Sequence, residues 1–253
     1  MRRMRAIPKR PARACLAIAL AALGAATAFA GSFGVAPTRV DLGRGARSSL
    51  IEVSSDDTRK LSFQARLSRW QQDAAGKDEY AESQDLIFFP PLFSVNPGDK
   101  RVIRVGLKAG EPIATETAYR LFIEEIPEPS PATSGSEVKV VLRFGVPIFI
   151  APAGAKPEFV VEAVEPVAGK VSMRVRNAGN VSAKFETVKI LREGAVLAEA
   201  TGWYVFPGVT RTFEVPLGAA RCAAGDALEA VAQAEGVVLR RSFAAPAALC
   251  ARP

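Results

Sequence analysis

The residues from Ser134 to Pro152 read SGSEVKVVLRFGVPIFIAP, and Val138, Val140, Leu142, Phe144, Val146 and Ile148 occupy alternate positions. Glu137, Lys139 and Arg143 stand between them. Successive side chains of a strand point to opposite faces, so this period of two predicts a β-strand with one continuous apolar face. The period cannot choose between a face packed on its own domain and a face offered to another chain. Similar short runs recur upstream, as VAPTRVDL, SLIEVSS, KLSFQARLSRW, KRVIRVGL and AYRLFIEEIP. After the Pro-, Gly- and Ala-rich stretch Ala151–Pro157 they restart with EFVVEAV, KVSMRVRN, AKFETVKIL, GWYVFPG, TRTFEVPL and GVVLRRSFAA. DALEAVAQAE is also read as a strand, against its helical propensity. The punctuation is that of turns. NPGD at Asn96–Asp99 puts Pro97 and Gly98 at the two central positions, and Pro90-Pro91 marks a rigid bend where a cis bond is allowed. NAGN at Asn177–Asn180 and Pro207-Gly208 do the same in the second half. Strands at this spacing, in two sets of about 100 residues, predict an all-β chain of two β-sandwich domains.

The first thirty residues follow a different rule. MRRMRAIPKRPARA holds six Arg or Lys and no acid, and CLAIALAALGAATAFA is an apolar run ending in Ala28-Phe29-Ala30. A charged start, an apolar middle and an A-x-A site predict a secretory signal peptide cleaved after Ala30. The run is shorter than the roughly 20 residues a membrane span needs. The signal carries six of the net +7, which leaves +1 for residues 31–253. The basic balance is therefore mostly an export address, and no nucleic-acid partner is expected. No later segment is apolar enough to span a membrane, so no stable membrane insertion is expected after cleavage. Cys15 leaves with the signal, and Cys222 and Cys250 remain. An even pair in an exported chain reads as a disulfide, with two buried thiols as the alternative.

Catalytic chemistry has little to stand on. The chain has no His, which removes Ser-His and Cys-His nucleophiles and the commonest metal ligand. GRGARS at Gly43–Ser48 only grazes a glycine-rich phosphate loop and lacks the following helix. Asp56-Asp57 and Glu124-Glu125 are adjacent pairs, and neighbours on a strand face opposite ways, so neither pair makes an acid/base couple. No enzyme activity, cofactor or metal is expected.

Several phrases line up in a fixed order: VAPTRVDL, FQARLSRW (Phe63–Trp70), FFPPLFSVNPGDKRVIRV (Phe88–Val105), ETAYRLFIEEIP (Glu116–Pro127) and VVLRFGVPIFIAP. This order resembles the periplasmic pilus chaperones, the PapD-like family of chaperone–usher pathways. The likeness covers residues 33–152 and, more loosely, the rest. The G-V-P-I-F ending is more similar to the archaic, spore-coat-type branch.

The resemblance implies two immunoglobulin-like domains in an L or boomerang. Residues 31–152 would form the N-terminal domain with the donor strand, and residues 153–253 the C-terminal one. It implies pilus subunits and an outer-membrane usher as partners. Val138, Val140, Leu142, Phe144 and Val146 would act as a plug that completes an unfinished subunit. Arg39 in P-T-R-V matches an arginine that grips the subunit's C-terminal carboxylate; otherwise it is an ordinary arginine at a strand start. The family's second grip, a lysine, falls at Pro147, which leaves Arg143 or Lys139 as candidate substitutes. An arginine that ties the two domains together falls at Ala151, while Glu116 and Arg104 match the remaining polar cluster, so the domain angle is expected to be held differently. The rival reading is a secreted two-domain structural protein, an adhesin or a pilin. A pilin is expected to carry its donor strand as an N-terminal extension, whereas the alternating strand here is internal.

Overall fold

The computed structural model of the chain describes residues 33–43, 45–108, 113–127, 140–167, 169–218 and 222–250. The expected signal peptide, Val138 and Lys139 lie outside the described residues. Those described are strands joined by turns, with one helical turn at Ala247–Cys250.

The first domain is a sandwich of two sheets. One is four-stranded and runs β1 (Phe33–Ala36), β3 (Ser48–Ser55), β8 (Lys100–Leu107), β6 (Leu86–Phe89). The other runs β2 (Val40–Leu42), β10 (Arg143–Ile150), β9 (Thr117–Glu125), β4 (Leu61–Gln72), β5 (Asp78–Glu82), with β7 (Leu92–Val95) beside the start of β4. The chain therefore changes sheet between Ala36 and Val40, and Pro37, Thr38 and Arg39 make the crossing. Alternation sorts the side chains. Leu61, Phe63, Ala65 and Leu67 of β4 meet Tyr119, Leu121 and Ile123 of β9, Ile51 and Val53 of β3, and Ile103 and Val105 of β8 in one core. Each sheet thus gives every second residue to a shared apolar layer.

The second domain repeats the plan with three strands facing five. β11 (Phe159–Val167), β12 (Lys170–Asn177) and β16 (Thr210–Pro216) form one sheet. β14 (Ala195–Thr201), β13 (Ala183–Arg192), β17 (Ala227–Ala234) and β18 (Val237–Ala244) form the other, with β15 (Tyr204–Val205) on β13. β17 confirms the strand reading of DALEAVAQAE: its alternate residues Leu228, Ala230, Ala232 and Ala234 are buried in the second core. Tertiary burial has overridden local propensity there.

The turns agree with their sequences. Asp99 N–H donates to Asn96 O at 3.0 Å, and Gly98 sits at φ +73°, where a side chain is strained. Glu193-Gly194 closes the β13–β14 hairpin with positive φ at both residues, the geometry that matches strand twist. The Phe89–Pro90 bond is cis, as is Ala36–Pro37. Cys222 and Cys250 are joined, with Cα atoms 5.3 Å apart, inside the second domain. No helix among the described residues is long and apolar enough to cross a membrane.

Candidate functional site

The outward face of the six-stranded sheet is where the two domains meet. On β10 the even residues Val146 and Ile148 enter the first core, while the odd residues Pro147 and Phe149 face the other way. Register places Phe149 opposite Ala118, Pro147 opposite Arg120, and Trp70 opposite both Ala118 and Tyr80. These outward residues meet a second-domain strip. Trp70, Ala118 and Phe149 pack with Tyr204, Phe206 and Val209 in a separate apolar cluster. Trp70 lies 4.7 Å from Phe206 and 5.0 Å from Tyr204, both edge-on. Val205, between them, points into the second core instead.

Hydrogen bonds surround this cluster. Gln72 Nε2 donates to Tyr204 O at 3.0 Å, and Phe206 N–H donates back to Gln72 Oε1 at 3.0 Å. Trp203 Nε1 donates to Asp78 Oδ2 at 2.8 Å. Glu116 Oε1 accepts from Ser182 N–H at 2.9 Å and from its hydroxyl, and Asn180 Nδ2 donates to Ala114 O at 3.0 Å. Burial pushes the Glu116 carboxyl above its ordinary range, although Ser182 and Arg39 pull the other way. These contacts bridge the two domains, with alanine at residue 151. Of the two residues matched to the polar cluster, Glu116 bonds across the domain boundary and Arg104 does not. It alternates with the buried Ile103 and Val105, so it stands on the far side of the domain beside Leu50 and Phe89.

Beside the apolar cluster lies an interdomain cleft of about 580 Å³, lined by Thr38, Arg39, Arg120, Pro147, Ser182 and Trp203 among others. Arg39 is half-exposed at its mouth, stacked over Phe149 at 4.4 Å and forked onto Asp41 with Nη2–Oδ1 at 2.7 Å. Partial burial lowers the guanidinium's pKa, and Asp41, Tyr204 and Glu116 together more than offset this, so it ends above its ordinary value. Arg143 is not brought to the cleft. It stacks on Phe122 at 3.8 Å and faces Glu124 at 4.0 Å, four residues along the strand from Pro147, or about 13 Å.

The four expected plug residues that are described separate. Val146 is fully buried in the first domain's own core and offers nothing to a guest. The strand lies between core partners there, so its even face is already used. Phe144 is half-buried against the rim of the same core. Leu142 and Val140 precede β10 and are 39% and 74% exposed. The apolar line thus begins inside the domain and runs out past its edge.

The backbone edge is open over the same stretch. Glu125 N–H donates to Leu142 O at 3.0 Å, so Leu142 and Glu125 form a hydrogen-bonded pair. Pairs alternate in an antiparallel ladder, so Arg143, Gly145 and Pro147 turn their main-chain groups to the opposite edge. β2 covers that edge only from Ile148 onward. Among the described residues no strand pairs with it at Arg143–Gly145. Among the described residues no group of three or more His, Cys, Asp or Glu could hold a metal.

A two-domain β-sandwich with an open strand edge beside an interdomain cleft is the class of protein this geometry defines. The chain belongs, through residues 32–156, to the pili and flagellar-assembly chaperones, by a match to their PapD N-terminal domain. No curated protein matches the sequence. Solved structures match the fold across both domains. A chain in the complex of chaperone CsuC with tip adhesion subunit CsuE, from the archaic Csu pili of Acinetobacter baumannii, matches at a TM-score of 0.59. Identity is 19%, and the match covers 85% of this chain and 98% of that one. The Pseudomonas aeruginosa CupB2 chaperone matches at 0.54 with 18% identity, over 84% and 100% of the two chains. A chain from the Salmonella enterica SafA pilin–SafB chaperone complex matches at 0.56 with 15% identity, over 84% and 96%.

Proposed function

We propose that the chain is a periplasmic chaperone for pilus subunits of the archaic, spore-coat-type pathway, working by donor-strand complementation without a cofactor or catalysed reaction. The observation that carries this reading is the exposed continuation of the core line at Leu142 and Val140, beside a strand edge that is unpaired among the described residues. An apolar edge strand normally invites aggregation. A chaperone uses it: main-chain bonds hold the guest's edge strand, and alternate side chains fill the guest's open core. Val140, Leu142 and Phe144 are the plug side chains, continued upstream by Val138. Arg39 then holds the guest's C-terminal carboxylate, exchanging part of its bond to Asp41 for a second carboxylate. The loaded chaperone passes its subunit to an outer-membrane usher. The signal peptide, residues 1–30, supplies export, and the domains divide at residues 152 and 153.

The test is a pull-down of the tagged chain from periplasm. Recovery of a small pilin-like partner in equal amount supports the chaperone. A polymer of this chain alone supports the structural rival. Arg39→Ala is expected to leave the chain folded and to reduce subunit recovery, with about 2–5 kcal/mol lost if the pair is desolvated.

A further inference from the structure

Gly145 stands between Arg143 and Pro147 on the outward line of β10 and lines the interdomain cleft. Its backbone is ordinary strand with no positive φ, so conformational freedom does not explain a glycine there. A glycine inside a strand often marks close approach by another group. Here the approach comes from β9. Phe122 is the register partner of Gly145, in a non-hydrogen-bonded pair, the kind whose side chains lie closest. A Cβ placed on Gly145 would lie 2.9 Å from Arg120 Cδ, 3.2 Å from Arg120 Cγ and 3.1 Å from Phe122 Cε1. The ring edge and the arginine stem thus lean across β10 towards its open edge. Phe122 also meets Tyr80 edge-on at 5.5 Å, and the Arg143 guanidinium caps it at 3.8 Å. Beyond Gly145 no strand is paired among the described residues.

We propose that Gly145 and Phe122 form a specificity notch, which takes an aromatic side chain from the strand that a guest lays along β10. This rests on the donor-strand reading and deepens it. The plug side chains lie on the opposite line of the strand and fill the guest's core, whereas here the guest's side chain fills a gap in this chain's sheet. A paired strand lies about 4.8 Å away, so its residue beside Gly145 meets Phe122 with no side chain between them. The walls are carbon: the ring edge, Arg120 Cγ and Cδ, and Pro147 next on the same line. Such walls favour a large apolar group, and the guanidiniums of Arg143 and Arg120 beside them favour the face of a ring. Edge-on contact with Phe122 adds to the burial. A cationic side chain is disfavoured by like charge, and a carboxylate would leave the carbon walls uncovered.

The experiment titrates the full-length mature chain into amidated peptides of alternating Val and Thr, each carrying an uncharged dye, with the central Thr kept or replaced by Phe, Glu or Ala. Dye anisotropy reads binding, and the amide removes any terminal carboxylate. The wild-type chain is expected to bind the Phe peptide about tenfold more tightly than the Ala peptide. Gly145→Ala puts a methyl group where the guest ring would lie, and Phe122→Leu removes the ring edge. Both variants are expected to lose most of that preference and to bind the Ala peptide as the wild type does. A variant weakened equally towards all the peptides overturns the inference, because that marks a structural role. So does a Phe preference kept in full by either variant, or a wild-type chain that binds without discrimination or prefers Glu. These outcomes leave the donor-strand reading in place. A wild-type chain that binds none of the peptides overturns that reading, and this inference with it.

Discussion

The indole Nε1 of Trp203 in the second domain donates to Asp78 Oδ2 in the first, at 2.8 Å, and Gln72 holds the other carboxylate oxygen at 2.9 Å. Asp78 therefore fixes two side chains that both reach across the domain boundary. Asp78→Ala would leave the indole N–H and one Gln72 donor unpaired. A hydrogen bond to a charged group contributes about 1.5–3 kcal/mol. The expected result is a loss of that order, with a wider spread of domain angles. Denaturant unfolding and small-angle scattering measure the two effects. An unchanged midpoint with an unchanged scattering profile would remove Asp78 from the latch.

Glu116 gives the interface a pH dependence of defined sign. Its folded-state pKa is raised by burial. The native state therefore holds a proton that the unfolded chain has released, between the ordinary glutamate value and the raised one. The associated stability is fully present below the ordinary value and is lost as pH rises through the raised one. Glu116→Gln imitates the protonated form. At pH 7 it is expected to be at least as stable as the parent, and it should lose the parent's gain on acidification. Thermal melts from about pH 4 to 8 test this. A variant clearly weaker at neutral pH would mean that Ser182 rewards the ionised form more than burial penalises it.

Leu142 and Ile148 lie six residues apart on one line and differ in where that line leads. Ile148 is fully buried in the first core, and Leu142 is 39% exposed. Ile148→Ala is expected to cost about 2–5 kcal/mol of stability. Leu142→Ala is expected to cost far less and to reduce subunit capture instead, since a buried apolar side chain is worth roughly 1.5–3 kcal/mol. Equilibrium unfolding beside capture yield separates the two roles. A Leu142→Ala chain that is badly destabilised, yet binds normally when folded, would put Leu142 in the domain's own core.

Much of this was legible in the sequence, because period-2 patterning reports a core directly. The strands, the Asn96–Asp99 turn and the Cys222–Cys250 pair follow from local pattern and composition. The cleft was harder to see, because its residues occupy the second face of strands already explained by their first. Trp70, Arg120, Phe149 and Tyr204 all alternate with core residues. A clue was present in WYVF at Trp203–Phe206 and PIFI at Pro147–Ile150, where both parities are apolar. A strand with two apolar faces is buried on both sides, and in this chain the second side is another domain. Val146 joined the expected plug because periodicity does not mark where a domain ends.

The Cys222–Cys250 bridge ties the segment after β18 to the loop before β17, across a sequence separation of 28. The chain-entropy account assigns a loop of this size roughly 3–4 kcal/mol. Reduction is expected to lower the second domain's unfolding midpoint by about that amount and to leave the first domain's melt in place. Calorimetry with and without reductant resolves the two transitions.

Pro147 sets the downstream end of any pairing made along this edge. Within β10 the uncovered edge offers the N–H and C=O of Arg143 and Gly145, and at Pro147 the row of donors stops. Two donors and two acceptors contribute about 2–6 kcal/mol, at a net 0.5–1.5 each. On its own, that hold corresponds to a dissociation constant no tighter than tens of micromolar or so. On the donor-strand reading proposed above, the part of the loan made by β10 is therefore short. On the same reading, a competing strand that enters beside Pro147 meets only these few rungs within β10.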